Sequence, residues 1–232
     1  MAPEEESHSE SPHWGYTGET GPEFWGDLSA EYALCSTGTS QSPIDIAGDS
    51  ATKEGGLTFN YQPTSLSSVV NNGHTIQVNY DAGSTLETDG KTFNLAQFHF
   101  HAPSEHTQDG APAPMEVHLV HKSDEGELAV VGVWFDADEE NPFLAQIWGQ
   151  IPTEEGEVSL EGTVNVLDVV PVEAPYYTYS GSLTTPPCSE GVNWFVVNQR
   201  NAASQEQVDQ FVSVIGNNAR PTQPLNGRVV SE

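Results

Sequence analysis

The chain has 232 residues, of which 36% are hydrophobic and 9% aromatic, enough apolar content for a real core and against disorder throughout. Thirty-four Asp and Glu stand against six Lys and Arg, and the formal charge of −28 repels phosphate backbones and anionic headgroups, which excludes nucleic acid and membrane surfaces as natural partners. No window reaches the ~18 uninterrupted apolar residues of a membrane helix, and the Met1-Ala2-Pro3-Glu4 start lacks the basic and apolar segments of a signal peptide; a soluble chain, with any export signal already removed, is expected.

Residues 1–12 combine Glu4, Glu5, Glu6 and Glu10 with Ser and Pro, which predicts a solvated acidic tail, with one domain over 13–232. From His13 onward the apolar residues come in short runs rich in Val, Phe, Ile and Tyr, broken by Gly, Asn, Asp and Pro. That pattern predicts strands at 58–61, 75–80, 93–101, 115–121, 128–135 and 193–198. Helical periodicity is rare. Ser204 and Gln207 form a capping box ahead of Val208, Phe211, Val212 and Ile215 on one face, and 142–150 reads as a shorter helix. No linker or repeat divides the domain, so the expected class is mostly β with a few peripheral helices. Cys35 and Cys188 are too far apart in sequence for a zinc ribbon or a redox pair, which leaves two buried thiols or one disulfide.

The chemistry concentrates in Gln97-Phe98-His99-Phe100-His101 and Glu116-Val117-His118. Alternate residues of a strand share a face, so Gln97, His99 and His101 project together while Phe98 and Phe100 pack behind. After the Asp109-Gly110 turn, an antiparallel strand carrying Glu116, His118 and Val120 on one face brings a third imidazole beside them. A lone His-x-His is more often a pair of hydrogen-bonded core histidines than a metal site. Here, however, Gln97 and Glu116 each stand two residues before a histidine, placed to accept its other ring N–H and fix its tautomer, and buried amide and carboxylate groups without such a task are costly. Three neutral imidazoles without thiolate suit Zn²⁺ and leave a fourth position open.

Eight blocks in order carry a resemblance: 13–16 HWGY, 41–45 QSPID, 71–74 NNGH, 97–101 QFHFH, 104–106 SEH, 116–121 EVHLVH, 181–187 GSLTTPP and 220–225 RPTQPL. Over roughly 13–230 the chain resembles the α-class carbonic anhydrases, in particular the exported bacterial type. The resemblance implies a central, largely antiparallel twisted sheet of about ten strands, with Zn²⁺ at the bottom of a conical cleft on His99, His101 and His118. The implied activity is reversible hydration of CO2 to bicarbonate and a proton by a zinc-held hydroxide; this family is the reference case for zinc lowering the pKa of its water to about 7, and the magnitude is that of the reference case. Esters are expected as side substrates, and anions and aromatic sulfonamides as inhibitors. A family member without activity, serving as a binding module, is the alternative, although all three histidines, Glu105 and Thr184 are kept.

The resemblance also assigns roles around the metal. Thr184 accepts a hydrogen bond from the hydroxide and donates its single hydrogen to Glu105, while Thr185 contacts bound bicarbonate. Val120, Val130, Leu183, Val192 and Trp194 form the apolar wall that receives CO2. His74 is the proton shuttle, with Tyr16, Asn72 and Gln77 ordering the connecting waters; Gln77 replaces a shorter amide. His106 and His121 are structural histidines, and His8 and His13 have no metal role. Pro43 and Pro187 match positions that follow cis peptide bonds. Cys35 and Cys188 match the family's disulfide, which implies a periplasmic or secreted location. A homodimer is left open, and the acidic surface suggests salt tolerance.

Overall fold

The computed structural model describes residues 12–231, so all of the expected acidic tail except Pro12 lies outside the described residues. The largest sheet has 11 strands. Its main path runs through Gly156–Val158, Val69–Asn71, Ile76–Asn79, Lys91–His101, Met115–Lys122, Leu128–Ala137, Glu190–Val197 and Tyr176–Ser182. Thr58–Asn60, Thr85–Thr88 and Asn201–Ala203 join beside this path. Pairing is antiparallel except where Leu128–Ala137 runs parallel to Glu190–Val197 and to Asn201–Ala203. The expected mostly β architecture is thus present, with a mixed stretch the alternation pattern had not indicated.

The centre of the sheet follows from period-two patterning. In Lys91–His101, Phe98 and Phe100 are fully buried on one face and pack against Phe143, Trp148 and Phe211 from the helices Pro142–Trp148 and Gln205–Ile215. Those helices start where their side chains supply caps. Asn141 accepts from the backbone N–H groups of Phe143 and Leu144, and Ser204 and Gln207 make the full capping box expected from sequence. The indole of Trp148 donates to the Gln207 carbonyl at 2.8 Å, tying the two helices together.

A second apolar cluster gathers Ile44, Val130, Trp134, Tyr179, Val192 and Trp194, with Val120 and Leu183 packed against it. All five positions expected for the apolar wall fall in this one cluster. A third cluster joins Trp25, Tyr32, Cys35 and Cys188, with Trp14 and Tyr16 against it. Cys35 and Cys188 form a disulfide, which settles the two readings left open by their spacing. The peptide bonds before Pro43 and Pro187 are cis, as is the one before Pro103, which no sequence signal had marked. No helix among the described residues is long and apolar enough to cross a membrane.

Candidate metal centre and its cleft

The register of two neighbouring strands assembles the site. His118 lies directly opposite His99, and Glu116 opposite His101, so three imidazoles and one carboxylate meet on a single face. One nitrogen from each of His99, His101 and His118 falls within 4.8 Å of the others. Which nitrogen faces inward is set by what holds the other. His99 Nδ1 is 2.8 Å from Gln97 Oε1, and His101 Nδ1 is 2.8 Å from the Asn218 carbonyl, so Nε2 of each is left to face the common point. His118 is turned the other way, its Nε2 lying 3.0 Å from Glu116 Oε1, so its Nδ1 faces inward.

Burial holds the His99 imidazole well below its ordinary pKa and lowers that of His101, aided by the neighbouring imidazoles at His99 and opposed by Glu105 at His101. Both are therefore neutral at pH 7, with a lone pair to offer. At His118 burial also acts downward, but the negative charges of Glu116 and Glu105 outweigh it, and the net direction is up. Glu116 itself is held well below the carboxylate range. Burial pushes its pKa up, and the charges of His106 and His118 reverse that. Its Oε2 accepts from the backbone N–H groups of Glu105 and His106, both at 2.9 Å, and its Oε1 meets His106 Nδ1 at 2.8 Å.

The buried side-chain atoms without a hydrogen-bond partner, among the described residues, are His101 Nε2, Glu105 Oε2 and His118 Nε2. The last stays close to Glu116 but out of line for a hydrogen bond. Unpaired buried polar atoms are rare and costly, and two of these, His101 Nε2 and Glu105 Oε2, face the common point. Glu105 Oε2 lies 3.5 Å from His101 Nε2 and 3.8 Å from His118 Nδ1. Three converging imidazole nitrogens without a thiolate are the donor chemistry that fits Zn²⁺. His106, Glu116 and His118 also cluster closely. Both nitrogens of His106 are already engaged, by Glu116 and by the Tyr179 hydroxyl, so His106 is not free to complete a metal site with Glu116 and His118.

A cavity of ≈ 120 Å³ opens from His99 and His101 outward past Gln97, Thr185, Gln77, Tyr16 and Asn72 to His74. The His74 ring stacks on Trp14, with centroids 3.6 Å apart and planes 9° from parallel. Burial lowers its pKa, the nearby His13 adds to that effect and Glu155 opposes it. Asn72 Oδ1 accepts from the backbone N–H groups of His74 and Thr75 and so holds the turn, while Gln77 Nε2 donates to Asn79 Oδ1 at 2.7 Å. Thr184 is buried, but with Glu105 Oε2 unpartnered, the bond from Thr184 implied by the resemblance is not made in this structure. A larger cavity, ≈ 470 Å³, lies beside Arg220 and Gln223 and includes none of the three histidines.

Several residues that hold the site went unassigned in the sequence. Asn218 is the chief one: its carbonyl receives His101 Nδ1, its Oδ1 accepts from Ala102 N–H, and its Nδ2 donates to the carbonyls of His74 and Phe100. Arg220 donates its backbone N–H to Glu105 Oε1 at 2.9 Å and its guanidinium to Gln41, to the Ser42 carbonyl and to the Cys35 carbonyl. Gly132, paired opposite His118, leaves room for the carboxylate: a Cβ there would come within 2.8 Å of Glu116 Oε1. Of these, only Arg220 lay in one of the matching sequence blocks.

Fold and site together define a class, that of β-sheet metalloenzymes in which three strand imidazoles converge at the base of an open cleft. A family described as eukaryotic-type carbonic anhydrase matches residues 20–232. The carbonic anhydrase of Neisseria gonorrhoeae is 45% identical over 228 residues, covering 97% of this chain and 90% of that protein. Among solved structures, the α-carbonic anhydrase of Thermovibrio ammonificans, in complex with the inhibitor sulfanilamide, aligns with a TM-score of 0.91 at 47% identity over 95% of this chain and 99% of that one. The Photobacterium profundum α-carbonic anhydrase gives a TM-score of 0.88 at 46% identity, over 95% of this chain and 100% of that one. The chain belongs to the α-carbonic anhydrase family, and CO2 hydration is the chemistry of that family.

Proposed function

We propose that this chain is a zinc enzyme that interconverts CO2 and bicarbonate, with Zn²⁺ on His99 Nε2, His101 Nε2 and His118 Nδ1. The observation that carries this reading is the convergence of three ring nitrogens, with His99 and His101 each hydrogen-bonded on the far side and His118 lying 3.0 Å from Glu116 there, beside the unpaired His101 Nε2 and Glu105 Oε2. Zn²⁺ supplies Lewis acidity there, making hydroxide available at neutral pH. The chain's residues do the rest. Gln97, Asn218 and Glu116 hold the three rings in tautomer and orientation. Val120, Val130, Leu183, Val192 and Trp194 give CO2 an apolar wall without polar competition. Thr184 would orient the attacking oxygen, and Glu105 Oε2, buried and unpartnered in this structure, would accept its hydrogen once the site is loaded. Thr185, on the cavity wall, is placed to contact bicarbonate through water. The proton leaves along Tyr16, Asn72 and Gln77 to His74.

Activated esters are secondary substrates of the same nucleophile, and aromatic sulfonamides are expected to inhibit. The disulfide supports a periplasmic or secreted location, since such bonds persist in oxidising compartments. The deciding experiment combines metal analysis with stopped-flow CO2 hydration. Wild type should hold one zinc per chain and hydrate CO2, and His118→Ala should remain folded while losing most of both. A His118→Ala protein with full zinc and normal turnover would overturn the site.

A further inference from the structure

Beside the metal centre a chain of short contacts runs along the same face of the sheet, from His118 towards the strand Tyr176–Ser182. His118 Nε2 lies 3.0 Å from Glu116 Oε1, the same oxygen is 2.8 Å from His106 Nδ1, and His106 Nε2 is 2.8 Å from the Tyr179 hydroxyl. Tyr179 in turn donates to Ser42 Oγ at 2.8 Å, and Ser42 Oγ also accepts from the Ser182 backbone N–H at 3.0 Å. The Ser42 N–H returns a bond to Ser182 Oγ at 2.8 Å, and the Ser42 carbonyl takes one from Arg220 Nη1 at 2.7 Å. His118, Glu116, His106, Tyr179, Ser42 and Ser182 are all buried.

The chain is also closely packed on its flanks. His106 stands 4.7 Å and His118 4.9 Å, ring to ring, from Trp194, and Tyr179 stacks on the same indole at 10° between planes. Gly181 has ordinary backbone angles, yet a Cβ there would collide with Ser42 Oγ and would reach Tyr179 Cε2 at 2.7 Å and Trp194 Cδ1 at 2.9 Å. Neither His106 nor Tyr179 can swing away without leaving a buried polar atom unpaired.

His118 is the ligand with the least of its own support. Gln97 and the Asn218 carbonyl hold His99 and His101 directly and in line, whereas Glu116 meets His118 obliquely and is itself positioned by His106. We infer that Tyr179, anchored on Ser42, is a positioning residue for the metal centre: through His106 it fixes the Glu116 carboxylate and thereby the direction in which His118 presents Nδ1. The inference rests on the zinc reading above and adds to it a residue that touches neither metal nor substrate.

The test is zinc release. Zinc-loaded protein is mixed with excess dipicolinate, and loss of the metal is followed by atomic absorption after rapid desalting. Tyr179→Phe removes the hydroxyl alone and should release zinc about 10-fold faster, the low end of the range for residues that orient a ligand. Ser42→Ala, one bond further out, should move the rate in the same direction by less. Tyr61→Phe is the control, because Tyr61 is also buried and bonds a histidine, His121, at 2.6 Å, but that pair has no link to the metal ligands. It should lower Tm and leave zinc release unchanged. In Co²⁺-substituted protein the visible band should shift in Tyr179→Phe and not in Tyr61→Phe. A folded Tyr179→Phe releasing zinc within twofold of wild type overturns the inference, as does equal acceleration by Tyr61→Phe. Wild type that fails to retain zinc at all overturns the zinc reading instead, which keeps the two failures distinct.

Discussion

His74 lines the cavity that opens from His99 and His101, and in the proposed reading it is the group that takes the leaving proton to solvent. Its ring is half-buried and stacked flat on Trp14, which gives it a fixed platform on the cavity wall. The downward pKa shift has a definite sign for turnover. A protonated imidazole cannot accept, and with its pKa below the ordinary 6.5 His74 stays neutral and receptive through pH 7, so the acid limb of kcat should lie below pH 6.5. In His74→Ala, kcat in dilute buffer should fall at least about 10-fold while kcat/KM, which reports attack on CO2, changes little, and an imidazole-type buffer should restore much of the loss. Unchanged kcat at low buffer would hand the role to another group, such as a carboxylate of the rim. At this scale the sequence was legible where partners sit on one strand: Gln97 precedes His99 by two positions, and strand geometry alone brings them together. Asn218 was illegible for the opposite reason, since it grips His101 through a backbone carbonyl from a segment far along the chain, and any residue type supplies a carbonyl.

Between elements, the disulfide ties the short helix Leu34–Thr37 to the segment that follows Thr184 and Thr185. The connection does not stand alone. Cys188 N–H donates to the Thr185 carbonyl, the Cys188 carbonyl accepts from Gln41, and the Cys35 carbonyl accepts from Arg220, whose backbone N–H holds Glu105. Reduction should therefore reach both stability and the site. Complete reduction, checked by mass spectrometry, should lower stability by up to about 4–5 kcal/mol, the chain-entropy value for so long a loop, and reduce CO2 hydration as the Thr184 segment loosens. An unchanged Tm after verified reduction would remove the disulfide from the account of stability. The central strands were readable from alternation because one face had to be apolar. The parallel pairing of Leu128–Ala137 with Glu190–Val197 was not, because that register depends on how Val130 and Trp194 meet in the second cluster and not on any local pattern.

Across the whole molecule the dominant quantity is charge. Thirty-four carboxylates face six Lys and Arg, and those few cations are not all spent on pairing. Among the described residues, Lys91 meets Glu127 and Arg200 meets Asp136 at the surface, whereas the guanidinium groups of Arg220 and Arg228 are committed to carbonyls and to Gln41. Most carboxylates therefore have no cation to neutralise them, and their mutual repulsion opposes the compact state. Added salt shortens the Debye length from about 30 Å at 0.01 M to about 3 Å at 1 M and so removes that opposition, while buried charges such as Glu105 and Glu116 are screened far less. The Lys91–Glu127 and Arg200–Asp136 pairs, at no more than about 1 kcal/mol each, cannot reverse the sign through their own screening. Tm should therefore climb as NaCl is raised from 10 mM to 1 M, with zinc content constant across the series. A Tm that falls steadily over that range would show that self-repulsion is not what limits this fold.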